Sequence, residues 1–330
     1  MPAQNKETVR VTEKPTILDS ENVASLSRED VVVVLFWHLG DVLNSTALLP
    51  ALASKHGRKL TFATSKSSVP IVQNHPYLDK VIIFPFEAPP RLGMADLERI
   101  ATFSASSFPA GVKVYNLHAP IDVRCFQLHS LQIWARAVGI DDSLKNLKPQ
   151  YFPTTRQLPS KFHYRDYLVL GNGGAITLKY WPIKRWNGLI KRLRSRFPEM
   201  QFLQLGSPHD PRIQNVEDLR GQTTIEESYL LLRDSFGCVT NDSFLGHLAG
   251  AAGCRAYVVF GSTSPRHYLP LGSDRVLAFG GEIACNPCLR TWCMLSLGLT
   301  TCWAFPSVDQ IAAAVENNLE RRKAHGTTQT

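Results

Sequence analysis

With 330 residues the chain is longer than a usual domain of roughly 100 to 200 residues, and a hydrophobic content of 44% can fill two cores. Charged residues at 19% and 21 each of glycine and proline exclude a largely disordered or collagenous chain. The formal net charge of +8 favours anionic partners, but nucleic acid is set aside because no aromatic-interleaved basic motif of a recognised module occurs.

Residues 1–30 are polar, mix acids with bases and lack the apolar stretch of an export signal, so they read as a disordered tail. No later segment approaches the 18 uninterrupted apolar residues of a membrane span, which makes a cytoplasmic protein the expectation. Val31–Phe36 is a continuous β-branched and aromatic run, the pattern of a strand buried on both faces of a parallel sheet. Gly40 and Asp41 follow, then a helix-length apolar pattern through Val42, Ala47, Leu48, Ala51 and Leu52. The same rhythm returns at Leu60–Ala63, Val81–Phe84 and Val112–Leu117, which is βαβ construction.

Around Lys145–Pro159 the chain turns polar and carries three prolines, reading as a connection between domains. A second series follows. Strands are expected at Tyr167–Gly171, Phe202–Gly206, Gly237–Thr240 and Ala256–Gly261, and helices at Trp186–Phe197, Ile225–Leu232 and Leu245–Ala252. The fold class is therefore α/β, with two doubly wound Rossmann-like domains, 31–150 and 160–318, facing a cleft, and a C-terminal tail over 319–330. The basic run Lys184, Arg185, Lys191, Arg192, Arg194 and Arg196 reads as a solvated helix face or a contact with an anionic membrane or glycan.

Three segments carry chemistry. In Trp37-His38-Leu39-Gly40-Asp41-Val42 a buried strand meets an acid at a helix start, where the acid reads either as a cap or as a cleft carboxylate. In Leu168–Gly174 a Gly-Asn-Gly-Gly turn precedes Lys179-Tyr180-Trp181-Pro182; glycines let backbone N–H groups approach phosphate, and the lysine adds positive charge. In Thr240-Asn241-Asp242-Ser243-Phe244-Leu245-Gly246-His247 another strand end meets a small-residue helix, with caps and a packed histidine as the plain alternative.

Together these segments resemble glycosyltransferase family 9, the ADP-heptose:lipopolysaccharide heptosyltransferases, over residues 31 to 318. Asn74-His75-Pro76-Tyr77-Leu78-Asp79, Asp218-Leu219-x-Gly221 and Phe260-Gly261-Ser262-Thr263 extend the resemblance. It implies a GT-B fold and an inverting, metal-independent transfer of heptose from an ADP-heptose donor to a lipopolysaccharide core or related bacterial glycan. Asp41 is then the general base, Gly173, Gly174, Lys179, Asp242, Ser243, Gly246 and His247 hold the donor, and His38 and His118 lie on the acceptor side. The chain departs from the family at Phe244, where glycine is common, at Gly174 and Ala175, where hydroxyl residues are common, and after Gly206, where Asp210 is the available acid. The acceptor is expected to be an anionic or lipid-linked glycan, met as a peripheral protein at the inner face of the membrane, and to be chosen by the loops Pro85–Met94 and Leu117–Arg124. A protein hydroxyl acceptor, another nucleotide sugar and a non-catalytic nucleotide-sugar scaffold stay open. A dehydrogenase would require G-x-G-x-x-G after the first strand, and Trp37–Asp41 lacks it.

Cys285, Cys288, Cys293 and Cys302 form a C-x2-C-x4-C-x8-C pattern within the loop 285–302. Four thiolates suit a closed structural zinc or iron site; free thiols and disulfides are the other readings. No cofactor is expected for catalysis. Cys125, Cys238 and Cys254 lie in apolar segments and read as core residues.

Overall fold

The computed structural model describes residues 14–85, 100, 102, 107–118, 127–174, 176–286, 288, 293 and 302–326. The acceptor loops named above fall largely outside these residues, as do Cys125 and Ala175.

The first half comprises strands β1 (Thr16–Asp19), β2 (Val31–Val34), β3 (Leu60–Ser65), β4 (Leu78–Phe84) and β5 (Lys113–Asn116) in one parallel sheet ordered β1-β4-β3-β2-β5. Helices α1 (Leu39–Ser45), α2 (Leu49–His56), the single turn α3 (Val69–Val72) and α4 (Ser130–Val138) cover it. All four residues of β2 are buried because the strand is central and covered on both faces, as an unbroken valine run demands. Residues 14–30 are not a free tail. Thr16–Asp19 pairs with β4, and Ser20–Ser25 forms a 3-10 turn that seats Val23 and Leu26 on the far face of the sheet. The strand is mostly exposed, which is why it reads as polar sequence.

The second half comprises β6 (Tyr167–Gly171), α5 (Ile183–Arg196), β7 (Gln201–Gln204), β8 (Glu217–Asp218), α6 (Ile225–Asp234), β9 (Cys238–Asn241), α7 (Phe244–Ala251), β10 (Ala256–Phe260), the turn α8 (Pro265–Tyr268), β11 (Val276–Gly280) and α9 (Val308–Gly326). Its six strands are parallel in the order β11-β10-β9-β6-β7-β8. The expected tail at 319–330 is helical to residue 326, because α9 packs along α5. That packing also reassigns the basic run. Arg192 pairs with Asp309 (2.6 Å) and Glu316 (2.7 Å), and Arg196 with Glu320 (2.7 Å). Arg185 donates to the Pro306 carbonyl (2.9 Å) and Arg194 to the Asn215 carbonyl (2.8 Å). Four of the six cations thus have partners within the fold, while Lys184, Lys191, Arg194 and Arg196 remain exposed on the helix face.

One apolar cluster joins the halves, running from Val42, Leu43 and Leu48 through Tyr151 and Leu231 to Leu245 and Leu248. The connection is tied on both sides. Thr46 Oγ1 accepts from the Gln150 N–H (2.8 Å), Asn74 Nδ2 donates to the Phe152 carbonyl (3.0 Å), and Glu226 accepts from the Thr154 (2.7 Å) and Thr155 (3.2 Å) N–H groups.

Candidate active site

After β2 the chain continues through Leu35 and Phe36, and His38 caps α1 with φ −57° and ψ 154°. Asp41 is therefore the third helical residue and not the cap; its N–H donates to the His38 carbonyl (2.9 Å). Gly40 lets α1 lie against α7, since a Cβ there would sit 3.1 Å from His247 Cδ2 and 3.7 Å from the Phe244 Cα. The first half thereby presents Asp41 to the start of α7 in the second.

Burial pushes the half-buried Asp41 carboxyl up to about 7, the Lys179 ammonium opposes this, and Asp242 adds to it. His38 stands exposed at the rim; surrounding protein and the Lys179 charge hold its imidazole below its usual range.

Strand β6 ends at Gly171, and the turn that follows is pinned through its carbonyls. Asn241 Nδ2 donates to the Gly173 carbonyl (2.6 Å) and the Tyr180 hydroxyl to the Gly174 carbonyl (2.8 Å). Gly174 has φ +146°, which an L side chain rarely adopts. Asp210 lies against the bare positions of Gly173 and Gly206, accepts from the Ser207 N–H (2.8 Å), and is raised by burial above the usual carboxylate range. The side chain of Asn172 is buried, and neither of its polar atoms has a partner among the described residues.

Lys179 ends a 3-10 turn, Thr177–Lys179, and its Nζ lies 2.8 Å from Asp242 Oδ2. Thr263 Oγ1 donates to the same oxygen (2.7 Å). Burial alone would raise Asp242, but Lys179, His247 and these hydrogen bonds hold it below the ordinary carboxylate range. His247 is driven down to about 4, first by burial, so the ring is neutral at pH 7. Its buried Nδ1 has no partner among the described residues. The arrangement gathers a carboxyl group of raised pKa, an ammonium and a neutral imidazole near the starts of two helices.

The other expected site residues also make contacts within the fold. His118 is 3% exposed; its Nε2 accepts from the Phe36 N–H (3.0 Å), and Nδ1 bonds Asn116 Oδ1 (2.8 Å). It fixes the strand end behind Trp37 and presents no ring nitrogen to an acceptor. Ser243 is the N-cap of α7, but its hydroxyl meets Thr240 Oγ1 (3.2 Å) and caps no N–H. Gly246 is bare because Pro270 Cγ and Thr240 Cγ2 would lie 3.3 Å and 3.4 Å from a Cβ. Thr263, Asn241, Tyr180 and Tyr268 belong to the site without having been singled out; the first three lie inside the motif segments of the sequence, and Tyr268 lies outside them.

The cysteine loop is anchored by the Cys288 N–H on the Ser262 carbonyl (2.7 Å) and by Asn286 Nδ2 on the Gly261 carbonyl (2.7 Å). Cys285, Cys288 and Cys302 are in no disulfide, and no three His, Cys, Asp or Glu side chains among the described residues form a metal-holding group. Among the described residues the expected tetrathiolate set is thus not closed into a metal-holding group. The four are still neighbours, since burial raises the Cys302 thiol and Cys293, Cys285 and Cys288 raise it further. Cys238 and Cys254 are buried core residues, as expected.

The sequence model described as "Glycosyltransferase family 9 (heptosyltransferase)" matches residues 131–297. Lipopolysaccharide heptosyltransferase 1 of Pseudomonas aeruginosa is 27% identical over 173 residues, covering 49% of this chain and 46% of that protein. The chain thus spans about half the length of this curated relative. The glycosyltransferase family 9 structure from Veillonella parvula superposes with a TM-score of 0.64 at 17% identity, covering 90% of this chain and 98% of that one. ADP-heptose lps heptosyltransferase II of E. coli gives 0.61 at 15% identity, covering 89% and 99%. The dodecameric iron-containing heptosyltransferase TibC, in complex with ADP-D-β-D-heptose, gives 0.60 at 15% identity, covering 98% and 79%. With the two parallel sheets, these superpositions give the fold as GT-B, two Rossmann-like halves across a cleft.

Proposed function

The chain belongs to glycosyltransferase family 9, and on that premise we propose that it transfers heptose from ADP-heptose to a sugar of a lipopolysaccharide core, with Asp41 as the general base. The observation that carries the proposal is Asp41 itself, a carboxylate at a helix start with its pKa raised to about 7, beside the ammonium of Lys179. A base with a pKa near the working pH combines a sizeable ionised fraction with strong proton affinity, a contribution of typically 10²–10⁴-fold.

The acceptor hydroxyl oxygen attacks C1 of the heptose from the face opposite the diphosphate, and its proton passes to Asp41. The C1–O bond to the diphosphate breaks with its electron pair going to the phosphate oxygen, so the anomeric centre inverts. The leaving ADP gains negative charge, which Lys179, the turn at Gly173 and Gly174, and the start of α7 stabilise without a divalent ion. The unpaired Nδ1 of His247 and the amide of Asn172 are polar groups available to the donor. ADP-heptose as donor and a lipopolysaccharide acceptor draw support from the names of the similar proteins. The net charge of +8 suits an anionic acceptor at the inner face of the membrane, reached as a peripheral protein, and no helix among the described residues is long and apolar enough to cross one.

A structural zinc or iron at the four-cysteine loop is a separate part of the proposal. The soft thiolate donors suit either ion, and no catalytic step passes through it.

The test is Asp41→Asn. The variant keeps ADP-heptose binding and loses nearly all turnover; unchanged turnover removes Asp41 from the role of base.

A further inference from the structure

The segment after β10 crosses from the second half to the first and carries an aromatic ring into the site. Ser264 caps the turn α8, its hydroxyl accepting from the Arg266 N–H (3.3 Å). Three hydrogen bonds then fasten this turn across the cleft. Arg266 Nη1 donates to Gln127 Oε1 (2.8 Å), His267 Nδ1 to the Leu128 carbonyl (2.6 Å), and His129 Nε2 to the Leu269 carbonyl (2.8 Å). His129 Nδ1 accepts from the Leu131 N–H (3.2 Å) at the start of α4, so its proton is fixed on Nε2 and the ring serves both halves at once.

Tyr268 sits in the middle of this strap. Lys179 Nζ lies 5.2 Å from its ring centroid, within cation–π range, while the same ammonium is 2.8 Å from Asp242 Oδ2. Lys179 is thus held between a carboxylate and an aromatic face. Burial raises the phenol well above its ordinary range, and the Asp41 and Asp242 carboxylates raise it further, so the hydroxyl stays protonated.

We infer that Tyr268 is a positioning residue of the transfer reaction: its ring, fastened across the cleft by the 264–269 strap, fixes the Lys179 ammonium between Asp242 and Asp41. The inference rests on Asp41 being the base. The charges acting on Asp41 are Lys179 after the glycine turn and Asp242 at the end of β9, and Asp41 acts in turn on Tyr268 of α8; His247 of α7 lies beside Gly40, and His38 caps α1. Lys179 opposes the burial that raises Asp41. A lysine released from the ring therefore leaves the base harder to ionise and the diphosphate less well stabilised. Closure of the halves and placement of the cation are coupled through one turn.

The test places phenylalanine and progressively fluorinated phenylalanines at position 268 of the full chain, which keeps the ring's shape while draining its π charge. Tyr268→Leu and Asp41→Asn accompany the series, and kcat, the KM for ADP-heptose and the pH profile of kcat/KM are read. Tyr268→Phe is the reference of the series, and the fluorinated end falls about three- to thirty-fold below it, the range of a partly desolvated cation–π contact. The acidic limb moves to higher pH along the series and moves furthest in Tyr268→Leu, a change that loss of packing alone does not produce. A flat series with an unmoved limb, while Asp41→Asn has lost turnover, overturns the role of Tyr268 and leaves the base standing. Full turnover in Asp41→Asn overturns the base and this inference with it.

Discussion

Replacing Asp41 by asparagine has an effect on stability opposite to its effect on turnover. An unfolded aspartate titrates near 3.9, whereas the native carboxyl is raised to about 7. Between these values the native state holds a proton that the unfolded state has released, so stability falls as pH rises through the window and levels off above pH 7. About three pK units correspond to about 4 kcal/mol as an upper bound, and about half of that once water at the cleft rim is counted. Asparagine mimics the neutral acid and does not titrate. Asp41→Asn should therefore be more stable than the parent at pH 8 by about 2 kcal/mol, with a smaller advantage at pH 5. Denaturant unfolding at both pH values, followed through the N-terminal half, measures the difference. An advantage no larger at pH 8 than at pH 5 would refute burial as the cause of the raised pKa. In the parent enzyme the same ionisation places the acidic limb of kcat/KM near pH 7, falling about tenfold per unit below it.

Lys179→Met leaves the buried Asp242 carboxylate without its ion-pair partner, and breaking such a pair costs about 3–5 kcal/mol in stability; calorimetry should also find ADP binding at least about tenfold weaker. Gly40→Ala gains about 1 kcal/mol in helix propensity but puts a methyl 3.1 Å from His247 Cδ2, so stability changes little while turnover falls, as paired unfolding and rate measurements would show. Elemental analysis of purified protein should find close to one equivalent of zinc or iron, lost together with loop order on chelation; less than about a tenth of an equivalent removes the metal from the account.

The central strands were legible because a strand covered on both faces leaves an uninterrupted apolar run, as Val31–Val34, Tyr167–Gly171 and Ala256–Phe260 do. Edge strands leave no such mark: Glu217–Asp218 is two residues long, Val276–Gly280 has no buried residue, and Thr16–Asp19 is mostly exposed. Asp41, Lys179, Asp242 and His247 could be picked out because each stands where a strand hands over to a helix or turn. Other roles depend on partners far along the chain. His118 is claimed by Phe36, 82 positions away, and the cations of α5 by acids more than 100 positions later. Tyr268 has no periodic or motif signal; only the crossing of the strap over the cleft brings its ring to Lys179.

The most direct test of the central claim is calorimetric titration of the purified protein with ADP, ADP-heptose, UDP-glucose and GDP-mannose in the absence of divalent ions. The account predicts selective binding of ADP and ADP-heptose; tighter binding of UDP-glucose or GDP-mannose would contradict it.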